Sequence, residues 1–282
     1  MLRHLYLLIC LITLNVFSQT TVHGTVKNSD NEPVSFCSIG IQHSQTGTVA
    51  SESGHYELTI PTDLHDEIIF SAPGYTDKSF SGEELAKDGN VVLEQDSNLL
   101  ETIVINTVKM KNTTEGTTSR PMLTFSKMFQ KDDPAIEQGN IFRLYPTTRI
   151  KSYGFHIIPS SRFEQITMKL NIYSVKNNMP DQLLLGENII FKTSGTGWQK
   201  IDLTDYSLVF EQLDAVAVTL QLVDYKPLPS GEFNFGISAK KTPSKNLLFR
   251  HQSQGNWERS GGTFLSNLEI AYSKDTVSTA GN

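Results

Sequence analysis

Apolar and polar residues alternate with a period of two along most of this chain, and Gly, Pro, Asn and Asp interrupt the alternation every ten residues or so. Period two puts successive side chains on opposite faces of a strand, so the pattern predicts short antiparallel strands. Val22, Gly24 and Val26 open the first run, and residues 28–33 turn the chain. Val34, Phe36, Ile39 and Ile41 form the next run, followed by a turn at residues 45–47. After Ser53-Gly54, Tyr56, Leu58 and Ile60 alternate with polar residues. These strands are too short and too closely spaced for crossover helices, which predicts a small β-sandwich. Gly54 and Gly74 stand where a hairpin needs positive φ. Pro33 fixes φ at a strand start, where no ladder N–H is required. Gly82–Lys87 suits a helical turn before Val91, Val92 and Leu93 close the unit.

Residues 99–105 are a further apolar stretch, either a terminal strand or the start of a linker. Residues 106–120, NTVKMKNTTEGTTSR, have almost nothing to bury and predict a linker. Apolar content returns at residues 121–129; Asp132-Asp133-Pro134 signals a turn, and residues 135–138 read as a short helical piece. Strand signals then persist. Residues 163–175 are the clearest: Ile166, Met168, Leu170 and Ile172 point one way, and Gln165, Thr167, Lys169 and Asn171 the other. That predicts a half-buried strand with a solvated outer face. Residues 177–180 turn, and residues 183–191 form a strand broken at Gly186-Glu187. Residues 215–223 are nearly all apolar, as in a central strand covered on both faces. Phe233, Phe235 and Ile237 alternate, and residues 247–249 and 264–272 finish the pattern.

The expected class is therefore all-β, with two tandem β-sandwiches, the second jelly-roll-like. The expected divisions are a leader at 1–18, a first sandwich at 19–105, a linker at 106–120, a second sandwich at 121–274 and a polar tail at 275–282. An eight-stranded membrane barrel shares the period-two signal. Against it, aromatic pairs at the strand ends are missing, and residues 280–282 are not an aromatic strand.

Residues 1–18 read as a secretory signal: Arg3, an apolar run at residues 5–14, and small residues at Val16 and Ser18 that leave Gln19 first. The run is too short to span a bilayer comfortably, so no transmembrane segment is expected after cleavage. Cys10 lies inside the run, not after it, and is not read as an acylation site. The full chain has 24 basic and 30 acidic residues; without the leader, which holds Arg3, the balance is 23 against 30, a net of −7. A mildly acidic chain without a basic cluster argues against nucleic acid as partner. Cys37 is then the one cysteine left, so no internal disulfide forms, and its neighbours Phe36 and Ile39 predict a buried, inert thiol.

The series Gly24-x-Val26, Glu32-Pro33-Val34, Gly47-Thr48, Gly54-x-Tyr56-x-Leu58, Ile60-Pro61, Ile68-x-Phe70 and Gly74-Tyr75 resembles the carboxypeptidase regulatory-like domain. The resemblance covers about the first third of the chain. It implies a transthyretin-like (prealbumin-like) seven-stranded sandwich, of the kind that accompanies some metallocarboxypeptidases and stands at the N-terminus of many outer-membrane receptors and surface proteins of Gram-negative bacteria. Ala50 and Ser51 replace a Thr-Asp or Thr-Asn pair of the family pattern, and Cys37 a common Ala. Gly197 to Leu203, then Tyr206 and the apolar strand at 215–223, is similar to jelly-roll modules of the galactose-binding or carbohydrate-binding type.

The catalytic inventory is sparse. A zinc carboxypeptidase needs a His and a Glu close together and a distant His. None of His23, His43, His55, His65, His156 and His251 begins a His-x-x-Glu run; His65-Asp66-Glu67 comes nearest, in a polar turn. There is no Gly-x-Ser-x-Gly elbow. Gly195-Thr196-Gly197 lacks the Lys and the following helix of a phosphate loop. No cofactor is expected, with a structural calcium left open at Asp132-Asp133 or at Asp202 with Asp205. The chain is expected to be a non-catalytic envelope protein, located in the periplasm, at the outer membrane or on the cell surface. Its expected partner is an envelope protein or a surface glycan. The alternative is a carbohydrate-binding protein acting through the second sandwich, and an enzyme with a site assembled from distant residues is the third reading. Trp257, in a polar loop, is the candidate binding aromatic, with Tyr225 and His251 on a shared rim; Trp198 is expected to pack under the Asp205-Tyr206 turn.

Overall fold

The computed structural model describes residues 19–61, 64–96, 109–120, 125–129 and 135–275. The expected leader, the apolar stretch at 99–105 and Asp132-Asp133 lie outside them, as does most of the expected tail.

The first sandwich contains β1 (Gln19–Asn28), β2 (Ser38–Ile41), β3 (Gly47–Val49), β4 (His55–Pro61), β5 (Ile68–Ser71), β6 (Lys78–Phe80), helix α1 (Gly82–Lys87) and β7 (Val91–Leu93). Its sheets run β4-β1-β7 and β3-β2-β5-β6, seven strands in all, as the resemblance implies. On β4 the alternation is complete: Tyr56, Leu58 and Ile60 are buried and His55, Glu57 and Thr59 exposed. Tyr56 meets Phe70 edge to face at 5.3 Å, and Phe70 meets Phe80 at 5.6 Å. Helix α1 starts at a capping box, Ser81 and Glu84 bonding reciprocally, and buries Leu85. Gly54 and Gly74 have φ of 77° and 84°, the left-handed region that admits glycine without strain.

The second sandwich contains β8 (Lys111–Gly116), β9 (Phe125–Phe129), β10 (Glu137–Arg143), β11 (Thr147–Ile157), β12 (Gln165–Lys176), β13 (Met179–Leu183), β14 (Ile189–Thr193) and β15 (Gly197–Asp202). It continues with β16 (Val209–Glu211), β17 (Ala215–Lys226), β18 (Phe235–Lys240), β19 (Leu247–Arg250), β20 (Glu258–Ser260), β21 (Thr263–Phe264) and β22 (Ser266–Ser273). A seven-stranded sheet runs β13-β12-β17-β10-β19-β20, with β14 also on β12; an eight-stranded sheet is built around β11, β18 and β22. Phe155, Ile172, Leu220 and Ile270 fill the space between the sheets. Apolar residues thus point into the sandwich, the reverse of a membrane barrel with a polar lumen. Among the described residues no helix is long and apolar enough to cross a membrane.

Three local expectations are corrected. Residues 111–116, read as linker, form β8, which pairs antiparallel with β22 from Asn267 to Tyr272. Backbone hydrogen bonds to a neighbouring strand order this segment without burial of its own, and composition does not register them. Residues 137 and 138, read as helical, belong to β10, held between β17 and β19. The third correction concerns the face of β12 read as solvated. Thr167, Lys169 and Asn171 are 2%, 2% and 3% exposed, because the first sandwich lies over them.

Candidate functional site: the cleft between the two sandwiches

The inward residues of β12 and β17 are aliphatic, so the residues between them must face outward. On β12 these are Lys169, Asn171 and Tyr173; on β17, Thr219 and Gln221; on β10 and β19, Glu137 and Arg250. The register sets Lys169 opposite Gln221, and Asn171 opposite Thr219. Glu137 stands opposite Gln221 on one side and Arg250 on the other. The outcome is a polar layer almost closed to solvent, in which each charge needs an internal partner.

Glu137 and Arg250 supply partners to each other. Glu137 Oε2 accepts from Arg250 Nε at 2.8 Å and Nη2 at 2.6 Å. Its Oε1 accepts from Asn171 Nδ2 at 2.9 Å and from the Thr219 hydroxyl. Arg250 Nη2 also donates to the Tyr173 hydroxyl at 2.7 Å, and Nη1 donates to the Ser253 carbonyl. The guanidinium lies 4.2 Å from the centre of the Trp257 ring, a cation–π contact. Burial works to raise the Glu137 carboxyl, but Arg250, Thr219 and Asn171 outweigh it and hold the group below the usual carboxylate range.

Lys169 ties the layer to the first sandwich. Its Nζ donates to the Phe36 carbonyl and to Ser38 Oγ, both at 2.9 Å. Phe36 has φ of 53°, an uncommon left-handed conformation for a bulky residue. Burial pushes the Lys169 amine down to about 8, and the nearby Arg250 charge acts in the same direction. Ser38 donates onward to Gln221 Oε1 at 3.3 Å. Gln252, fully buried, inserts its amide beside the β2–β3 hairpin and donates to the carbonyls of Ile41 at 3.0 Å and Ser44 at 2.8 Å. Gly40 makes room for it: a Cβ there would fall 1.8 Å from Gln252 Oε1. A Cβ on Gly74 would fall 2.2 Å from the Gly186 carbonyl oxygen, so the sandwiches meet backbone to backbone there. Cys37, whose thiol faces the Ser71 carbonyl, is fully buried, and burial pushes it up to about 12, as an inert cysteine requires.

Glu137, Arg250, Lys169 and Gln252 with their partners form a polar lock between the sandwiches, and beside it opens a cleft of about 980 Å³. Lys169, Asn171, Tyr173 and Arg250 reach its floor, residues 71–77 form one wall, and residues 181–187 and 206–210 the other. Both floor cations are engaged, and the walls carry Asp77, Asp96, Asp181 and Glu187, with burial raising the Asp77 carboxyl above its usual range.

The sequence-derived binding residues do not come together here. Trp257 packs on Tyr173, ring centres 5.8 Å apart, in a cluster with Ala217 and Leu248 on the outer side of the seven-stranded sheet. Tyr225 packs on the core between the sheets and stacks on Phe233 at 3.9 Å. His251 stands edge to face on Phe249 at 4.8 Å. Trp198, expected to be packed, is 38% exposed, with His156 edge-on at 5.4 Å. Asp202 accepts from Thr204 N at 3.0 Å and Thr204 Oγ1 at 2.7 Å, which occupies one of its oxygens within the turn. Among the described residues no group of three or more His, Cys, Asp or Glu is placed to hold a metal ion. Sequence reasoning missed Glu137, Arg250, Lys169 and Gln252. The available signal was Thr219 and Gln221, two polar residues inside an otherwise apolar central strand.

Residues 22–105 match the family model of the CarboxypepD_reg-like domain. This CarboxypepD_reg-like domain includes the seven strands of the first sandwich, apart from the first residues of β1, and contributes Phe36 and Ser38 to the lock. No curated protein matches the chain. Several solved structures align with it, two of them of one protease. One is the clostridial cysteine protease Cwp84 after propeptide cleavage, with 10% identity, a TM-score of 0.42, and coverage of 83% of this chain and 56% of that one. The other comprises the cysteine protease and lectin-like domains of Cwp84, a surface layer associated protein of Clostridium difficile, with the same identity, TM-score and coverage of this chain, and 50% of that one. The chain spans about half the length of these proteins, and a likeness this distant carries no argument about function.

Proposed function

We propose that the chain is an exported, non-catalytic protein of the cell envelope whose two β-sandwiches act as one interaction unit. The polar lock carries this reading. Lys169 and Arg250 on the cleft floor, and Glu137 behind them, are each held by internal partners, while Asp77, Asp96, Asp181 and Glu187 stand on the walls. A catalytic acid or base works best with its pKa near the operating pH. Glu137 is instead held ionised by a cation and two hydrogen-bond donors, and Lys169, although burial pushes it down to about 8, is held by the Phe36 carbonyl and Ser38 Oγ. The CarboxypepD_reg-like domain and the apolar leader support export, to the periplasm, the outer membrane or the cell surface, with an envelope protein or a surface glycan as partner. Fractionation with mass spectrometry of the mature protein tests the reading. It predicts an envelope-fraction protein beginning at Gln19, with no hydrolysis of peptide substrates with or without added zinc. A cytoplasmic protein retaining Met1, or zinc-dependent peptide hydrolysis, would overturn it.

A second reading, carbohydrate binding through the second sandwich, is favoured by one observation. Trp198 places a large aromatic ring, 38% exposed and edge-on to His156, on the outer face of a strand, where it can stack on a sugar ring.

A further inference from the structure

Among the described residues, Trp198 and Val92 are the exposed large hydrophobic side chains. Trp198 is held in place. The His156 ring stands at 79° to it, and His156 Nδ1 is in turn fixed by Ser238 Oγ at 2.8 Å. Trp198 and Lys200 alternate along β15 and so share a face. Their register partners on β11 are His156 and Gly154, and Gly154 faces Asn267 of β22. A Cβ on Gly154 would lie 2.8 Å from Asn267 Oδ1, so the Asn267 amide lies across the bare backbone of Gly154. Lys200 Nζ meets Glu269 Oε2 at 2.7 Å, and Ser152 Oγ donates to the same oxygen at 2.9 Å. An indole, an ammonium, a carboxylate and an amide thus stand together on paired strands, where their positions are fixed by the ladder and not by a loop.

This combination matches one ligand chemistry. A pyranose ring has an apolar C–H face that stacks on an indole and a hydroxyl rim that both gives and takes hydrogen bonds. Lys200 and Glu269 cancel at the centre, and Arg120 and Lys151 add positive charge at the margins. His156 stays neutral near pH 7, because burial, and then the charge of Arg120, lower it from its usual value. A neutral polyhydroxyl ring fits such a surface better than an anion or a basic peptide does. We propose that the outer face of β11, β15 and β22 binds a neutral saccharide, with Trp198 as the stacking platform and Lys200 and Glu269 as the hydrogen-bonding rim; Asn267, whose Nδ2 donates to the Thr117 carbonyl at 3.0 Å, closes the edge of the face. The proposal rests on the carbohydrate-binding reading and gives it a place, away from Trp257.

The test uses the full mature chain, a printed glycan array, and fluorescence titration with cello-, xylo-, manno- and chito-oligosaccharides. Saturable binding is expected, weakened by about tenfold or more in Trp198→Ala at an unchanged melting temperature, with part of the affinity retained in Trp198→Phe. Trp257→Phe is expected to bind as the wild type does. Wild-type binding that survives Trp198→Ala would overturn the site and leave the carbohydrate reading standing. No binding to any glycan at millimolar concentration would overturn both. If Trp198→Ala does not fold, the Lys200→Ala/Glu269→Gln variant decides in the same way.

Discussion

The outer faces of the two sheets in the second sandwich are written in the same alternation of apolar and polar residues, yet Lys169 on one is 2% exposed and Trp198 on the other is 38% exposed. The first face is roofed by the CarboxypepD_reg-like domain and answers with paired charges, buried amides and a glycine gap. The second is open beside Trp198 and keeps a surface ion pair, Lys200 with Glu269. Alternation states which side chains leave a core; it does not state whether another domain waits above them. The two tryptophans make the same point. Trp257 sits in a polar, glycine-rich loop and is packed against Arg250 and Tyr173, whereas Trp198 lies within a strand and shows its ring to solvent.

The comparison breaks most readily at Glu137. Glu137→Ala leaves the buried Arg250 without its counter-charge and is expected to destabilise the protein by roughly 3–5 kcal/mol in urea denaturation. Glu269→Ala, at the exposed pair, should cost less than about 1 kcal/mol. Similar losses at the two sites would remove the distinction between the faces.

Lys169 gives the next largest effect, through pH. Its amine titrates near 8 in the folded protein, against a usual value of 10.5. Between those values the unfolded chain binds a proton that the folded chain does not, so stability rises with pH across that window. Below about pH 8 the burial penalty is fully present. The difference in unfolding free energy between wild type and Lys169→Met should therefore shift in favour of wild type by about 3 kcal/mol between pH 8 and 10.5. A flat difference would place Lys169 in water.

Trp257→Ala, which removes a cation–π partner and a packed ring, is expected to cost about 2–3 kcal/mol, and Trp198→Ala under about 1 kcal/mol. Acrylamide quenching of single-tryptophan variants should rank Trp198 as the more accessible. The smallest effect is at Cys37. It should resist thiol reagents in the native protein and react on unfolding, and rapid native labelling would show that the lock opens.

Much of the fold was legible because local signals agreed. The strands of the first sandwich, the capped turn at Gly82–Lys87, the Asn177-Asn178 hairpin turn with both φ positive, and the central position of β17 all follow from residues close in sequence. The lock was not legible, because its members are brought together across 131 residues from Lys169 to Ser38 and 211 from Gln252 to Ile41. Residues 111–116 misled for a related reason: their order comes from β22, more than 150 residues downstream. Residues 135–138 lacked enough length to separate a helical turn from a strand start.

The most direct test of the roofed face is the titration of Lys169 itself, followed by NMR of 13C-labelled lysine side chains in the intact chain and assigned with Lys169→Arg. The account predicts one lysine with a midpoint near 8, absent from the variant. A Lys169 resonance that titrates near the ordinary lysine value of about 10.4 would mean that the first sandwich does not cover this face.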